Sequence, residues 1–233
     1  MEVAQGVYSL GQQEGGHVHA YLFEHGAELT LVDTLWDKDA GRVLDYIRRI
    51  GRSPSDLKHI ALTHAHRSHL GGVATLKKLT GATVYAHAWE ADIIAGERLA
   101  QPVSLIPRGG LTLVKFRLGL ALGRPKHPPC PVDEVVGEDD SIGPLRVVYI
   151  PGHTPGHLAF QSADKRVLAV GDAIATWPKL GAGWPGFNLN QGQYEDSLRR
   201  LAKIEADVIG VGHGDPITQR GADVVHEVVD QAV

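Results

Sequence analysis

Thr63-His64-Ala65-His66-Arg67-Ser68-His69-Leu70-Gly71-Gly72 is the stretch on which the reading of this chain turns. Its histidines follow His59-Ile60-Ala61-Leu62-Thr63, a short apolar run that reads as a buried strand. They precede Val73, Leu76 and Leu79, spaced for the inner face of a helix over about Leu70 to Thr80 that Gly81 ends. The His-x-His-x-x-His cluster is therefore expected between a strand end and a helix start. The same placement recurs further along. His153 lies in Pro151-Gly152-His153-Thr154-Pro155-Gly156-His157, after the strand-like Leu145 to Ile150. Asp172 follows Val167 to Val170, and His213 follows Val208 to Val211 in Gly212-His213-Gly214. Each of these residues is expected just past a strand terminus, so the loops at one sheet edge can converge. A lone histidine in such a place reads as a surface or capping residue. This set, embedded in Gly-rich loops, reads as a metal site, because neutral imidazoles and a carboxylate suit zinc and related divalent ions.

Strands and helices alternate in both halves of the chain. Tyr21 to Phe23 and Leu29 to Val32 are short strands separated by His25-Gly26. Ala40, Val43, Leu44, Ile47 and Ile50 form one face of a helix stopped at Gly51. Ala82 to Ala86 and His157 to Gln161 are further strands. A helix from about Gln191 begins with Asn190 and Gln193 at capping-box spacing and turns Tyr194, Leu198, Leu201 and Ile204 inward. A closing helix carries Val224, Val225, Val228 and Val229. This alternation implies helices packed outside sheet layers. At 233 residues, one domain spanning 1–233 is expected. The segment from Gln101 to Pro131 departs from the rhythm, being basic and rich in Pro and Gly. Between Leu111 and Leu122 its apolar residues alternate as in a strand, yet its length suits a helix, the preferred reading. The segment at about 101–131 is expected to be an excursion from the domain, a lid or the contact of a homodimer.

Composition removes several classes. Apolar residues at 43% and charged residues at 21% exclude a disordered chain. A net charge of −4 argues against a nucleic-acid surface. Cys130 has no partner for an internal disulfide, and between Pro129 and Pro131 it is an improbable nucleophile. No basic start with a long apolar core opens the chain, and Leu111 to Leu122 falls short of a ~20-residue span. A cytoplasmic protein away from membranes is expected.

The order of these loops, their flanking glycines and the Pro-Gly-His-Thr-Pro-Gly-His phrase resemble the metallo-β-lactamase superfamily over nearly the whole chain. The flanks are more similar to its glyoxalase II-like and lactonase-like hydrolases than to its secreted antibiotic-degrading enzymes. The resemblance implies an α/β fold, a four-layer αββα sandwich with a metal site at one edge of the sheets. Residue by residue, it implies that His64, His66 and His153 bind a first metal, that Asp172 bridges, and that His69 and His213 bind a second. Asp33, in Leu31-Val32-Asp33-Thr34, resembles the family's buried carboxylate near the site; a turn residue after a strand is the equal alternative. One position departs from the pattern His-x-His-x-Asp-His, because Ser68 stands in the Asp place. A hydroxyl is a poorer ligand for a divalent cation and cannot act as a carboxylate base. One tightly held zinc and a second, weaker one are therefore expected, with iron or manganese as alternatives. His157 is expected to be structural, His87 a strand-end residue, and His17 and His19 strand-surface residues, with reach into the site from the opposite sheet as their alternative.

Catalytic roles fall to Asp172, Ser68 and His213. The loop after Asp172 carries Trp177, Lys179, Trp184 and Phe187, whose aromatic rings either line a substrate pocket or cap the core. Lys179 and Arg67 are candidate partners for an anionic group. The resulting expectation is a metal-dependent hydrolase using activated water on an ester, lactone, thioester or amide bond of a small molecule. The alternatives are a phosphoester hydrolase on the same scaffold and a metal-binding protein with little or no catalytic activity.

Overall fold

The computed structural model describes residues 1–100, 127–183 and 187–233. Most of the expected excursion, including 111–122, and the pocket candidate Trp184 lie outside the described residues. The strands are β1 Glu2–Ala4, β2 Val7–Gln12, β3 Val18–His25, β4 Glu28–Val32, β5 Leu57–Ala61, β6 Thr83–Ala86, β7 Glu134–Val135, β8 Ser141–Ile142, β9 Leu145–Tyr149, β10 Leu158–Ser162, β11 Val167–Ala175 and β12 Val208–His213. The main helices are α1 Gly41–Arg49, α2 Val73–Thr80, α3 Ala88–Ile94, α4 Gln191–Leu201 and α5 Gly221–Ala232.

Hydrogen bonding links the strands in the order β7-β6-β5-β4-β3-β12-β11-β10-β9-β8, with β2 also on β3 and β1 on β2. The ladder narrows at its middle, where β3 meets β12 through the single pair Val18 and His213. There the sheet folds into two halves. In the first, β4, β5 and β6 run parallel, joined by crossovers through α1 and α2. In the second, β11 and β12 run parallel while β9, β10 and β11 form an antiparallel meander.

Strand alternation then defines three apolar layers. On β3, Ala20 and Leu22 face the helices, joining Val43 and Ile47 of α1 and Leu76 of α2. Tyr21 and Phe23 face the other way, into a core shared with Val147, Phe160 and Ala169 of the second half. On β11, Leu168 and Val170 point outward to Tyr194 and Leu198 of α4 and Val225 of α5. Helices, sheet half, shared core, sheet half, helices: this is the αββα sandwich.

Two expectations need correction. Leu79, in the last turn of α2, is 59% exposed; this helix begins at Val73, spans about two turns, and buries Val73 and Leu76 alone. Asp172 and His213 do not lie beyond their strands. Strand β11 runs on through Gly171 and Asp172 to Ala175, and its register against β12 is irregular around Gly171. Gly171 takes φ +53, a conformation glycine adopts without steric cost, which lets the strand bulge and re-aim Asp172.

Candidate metal centre

The site grows from parallel pairing. Val32 of β4 lies opposite Ala61 of β5, so both strands end at the same edge. Just past them, Asp33 takes φ +60 and donates its backbone N–H to the Ala61 carbonyl at 3.0 Å. Its carboxylate accepts from the Thr63 backbone N–H at 2.9 Å and from the Thr63 hydroxyl at 2.8 Å. The histidine loop then turns and is tied back to the first strand's extension, with Thr34 N–H on the His69 carbonyl at 2.8 Å and Gly71 N–H on the Leu35 carbonyl at 2.7 Å. A Cβ on Gly71 would lie 2.3 Å from the Trp36 backbone, so this return is open only to glycine.

Two loops and strand β12 aim their side chains at Asp172 on β11. His64 Nε2 and His66 Nδ1 lie 2.9 Å apart, and His153 Nε2 is 3.1 Å from His66 Nδ1. Oδ2 of Asp172 is 3.6 Å from His64 Nε2 and 3.4 Å from His153 Nε2 and from His213 Nε2. Oδ1 of Asp172 is 3.2 Å from His69 Nε2. The ligand atoms form two groups, His64–His66–His153–Asp172 and His69–Asp172–His213, within each of which all lie inside 4.8 Å.

The outer nitrogens set the tautomers. His153 Nδ1 donates to Oδ1 of Asn188 at 3.1 Å, and His213 Nδ1 donates to the Gly16 carbonyl at 2.7 Å. Because the Thr63 hydroxyl proton goes to Asp33, its oxygen accepts from His64 Nδ1 at 2.9 Å. Each of these rings is left with an Nε2 lone pair directed inward, the arrangement of a metal-ligating imidazole. Burial, reinforced by neighbouring imidazoles, holds His64 well below its ordinary pKa and lowers His66 to about 3, so both rings are neutral at pH 7, the form that can bind a metal. Burial also opposes charge on His69, but the carboxylates of Asp172 and Asp33 outweigh it and raise that ring to about 10. Asp172 is buried, which alone would favour its neutral form; His213, His69 and His64 together hold it well below the carboxylate range.

The donor set fits a divalent cation. His69 Nε2 and Asp172 Oδ1 are buried and make no hydrogen bond despite their 3.2 Å separation. A cation that displaces the His69 proton would be held between these two atoms in its place.

The model of the metallo-β-lactamase superfamily matches residues 14–213, which contain every side chain of this cluster. The chain belongs to the metallo-β-lactamase superfamily. Relatives span its length. A probable metallo-hydrolase of Bacillus subtilis (strain 168) is 27% identical over 93% of this chain and 87% of its own. A hydroxyacylglutathione hydrolase of Cereibacter sphaeroides is 31% identical over 71% of this chain, which spans about half of that protein (51%). A crystal structure of a metallo-β-lactamase family protein from Thermus thermophilus superposes with a TM-score of 0.68 at 27% identity, covering 99% of this chain and 79% of that one.

Within this superfamily fold the remaining candidates separate. Ser68 is half-buried between Arg67 and His69 and brings no charge to the His69–Asp172–His213 group. Trp177 packs against His17 with ring centroids 4.9 Å apart and planes tilted by 30°, beside the bond from Thr176 N–H to the His213 carbonyl, whereas Phe187 is buried and Lys179 exposed. A shallow cleft open to solvent beside His66 is lined by Trp89, Ile93, Arg98, Thr154, Pro155 and Leu189. His157 is fully buried against His64 and His153 with no hydrogen bond on either ring nitrogen. His19, half-buried, bonds to the Ser9 hydroxyl at 2.8 Å. His87 is more than a strand-end residue, since it caps α3, a helix the periodicity did not announce. Sequence reasoning also passed over Asn188, Thr63 and Gly16. Only Thr63 carried a signal, its place directly before His64; the other two reach the site through folding alone.

Proposed function

We propose that this chain is a metal-dependent hydrolase that cleaves an ester, lactone, thioester or amide bond of a small molecule with metal-activated water. The observation that carries the reading is the inward turn of five imidazoles around Asp172, four of them through Nε2 and His66 through Nδ1. His64, His66 and His153 with Asp172 would hold a first ion; His69 and His213 would share Asp172 for a second. Bound there, zinc would lower the pKa of water to about 7 and polarise a carbonyl oxygen. The chain's own residues keep that chemistry in place. Thr63 and Asn188 fix the tautomers of His64 and His153, and Gly16 does so for His213. Asp172 and His213 orient the nucleophile. Ser68 adds a neutral hydroxyl that can hydrogen-bond but cannot take a proton as a carboxylate would.

Because Ser68 supplies no carboxylate, the second group is short by one negative charge, and we assign one tight and one weaker metal, zinc before iron or manganese. A thioester or ester is the favoured substrate, in keeping with the hydroxyacylglutathione hydrolases among the relatives. The segment at about 101–131 is proposed as a lid or homodimer contact, and the cytoplasm as the site of action; among the described residues no helix is long and apolar enough to cross a membrane. Metal analysis joined to a panel of chromogenic esters, thioesters, lactones, β-lactams and phosphoesters tests the reading. Chelator-sensitive turnover of acyl substrates is expected. Turnover confined to phosphoesters, or bound metal without turnover of any substrate, would replace it with one of the two alternatives.

A further inference from the structure

We infer that Glu90 is a positioning residue whose carboxylate braces the His64–His66 loop against the His153 loop and thereby sets the spacing of the first ligand group. The inference rests on the metal reading above but is carried by separate contacts. Glu90 lies on α3, whose other inward residues, Ile93 and Ile94, are apolar, and it is only 2% exposed. Its Oε2 accepts from the backbone N–H of Ala65 at 3.1 Å, the residue between His64 and His66. Its Oε1 accepts from the backbone N–H of Gly156 at 2.9 Å, in the loop that carries His153. One side chain thus joins the two loops that supply the first group's histidines. Across the gap it spans, His66 Nδ1 and His153 Nε2 stand 3.1 Å apart. At their base the loops are already linked by Leu158 N–H on the Thr63 carbonyl at 2.9 Å; Glu90 adds the link nearer the ligands.

The surroundings hold Glu90 itself in register. His87 caps α3 by accepting from the Trp89 N–H at 3.2 Å, and its ring stacks on Tyr149 of β9 at 4.8 Å and 4°. The Tyr149 hydroxyl donates to the Pro155 carbonyl at 2.8 Å, gripping the His153 loop one residue before Gly156. Gly156 is pressed so closely onto this bracket that a Cβ there would meet Glu90 Cγ at 2.7 Å and His87 Nδ1 at 2.9 Å. An apolar residue at position 90 would leave both amides buried without an acceptor. Both carboxylate oxygens of Glu90 are spent on backbone amides, so it acts through backbone placement rather than in the chemistry. Partners of this outer kind typically change metal affinity by 10–100-fold when removed.

Glu90→Gln is the direct test, because its amide keeps one acceptor oxygen and turns an NH2 toward the other backbone N–H. Competition of the full chain with a chelator for Zn²⁺ should show the tighter site weakened by about 10–100-fold, and the absorption bands of the Co²⁺-substituted protein should shift. Tyr149→Phe, which removes a bond to the same loop but not the brace, should leave Zn²⁺ affinity within about threefold. Unchanged affinity and spectrum in Glu90→Gln, or equal weakening in both variants, overturns the inference. If Glu90→Gln does not fold, amide exchange in the unaltered, metal-free chain decides. Ala65 and Gly156 should exchange slowly and together; exchange of either at the rate of an exposed loop overturns it. A chain that binds no Zn²⁺ refutes the metal reading instead, and the amide exchange still tests the brace.

Discussion

Oδ2 of Asp33 lies 2.8 Å from Nδ1 of His69, and the other oxygen of that carboxylate holds the Thr63 backbone. One buried acid therefore orients His69 and, through Thr63, His64. Asp33→Asn should weaken metal binding by about 10–100-fold, and more at the His69 group than at the His64 group. Because His69 is raised to about 10, the metal-free protein carries a proton there at pH 7 that a bound ion must displace. Affinity at the second group should therefore rise toward alkaline pH by about tenfold per unit, levelling near pH 10. Zn²⁺ titrations from pH 6.5 to 9 check it, and a flat profile would remove His69 from the ligand set.

His66 is neutral and lies within 3.1 Å of both His64 and His153 ligand nitrogens. His66→Ala should strip most of the tightly held metal, with activity following. Metal retained after dialysis at the level of the unaltered protein would show that the first group is assigned wrongly.

Ser68→Asp supplies the missing charge beside His69. A carboxylate oxygen can reach zinc at ~2.0–2.2 Å, so occupancy should rise from nearer one metal per chain toward two. Hydrolysis should change by at least about tenfold in one direction, equivalent to ~1.4 kcal/mol in the barrier. Two tightly bound metals already present in the unaltered chain, with no gain on substitution, would show that His69, Asp172 and His213 suffice.

Stability in acid offers a test outside the site. Burial pushes His19 down to about 4, while in the unfolded chain it titrates near 6.5. Between those values the unfolded state binds more protons, so His19 lowers stability progressively as pH falls from about 6.5 to 4. The full loss is on the order of 3 kcal/mol at or below pH 4. Urea unfolding of metal-free protein should show a shallower acid decline in His19→Asn than in the unaltered chain. Parallel pH profiles would place the acid sensitivity elsewhere.

By itself the sequence determined the alternation of strands and helices and which histidines can gather at one edge, because both are written in short-range spacing, while the sandwich followed from the family resemblance. His64, His66 and His69 share one loop, His153 sits in a Gly- and Pro-bounded turn, and the apolar runs that become β5, β9, β11 and β12 are too short for anything but strands. Tertiary structure alone decided how those side chains are held. Asp33 meets Thr63 and His69 only because β4 and β5 pair in parallel and end together. Asp172 reaches four imidazoles because β11 bulges at Gly171 instead of stopping. Asn188 and Gly16 reach His153 and His213 from 35 and 197 residues away. Glu90 is polar on an otherwise apolar face of α3, a pattern that carries no meaning until folding places two unpaired amides opposite it. Spacing along the chain reports which groups can share a loop, but hydrogen-bond partners are chosen by which strands pair, in which register, and where each one ends.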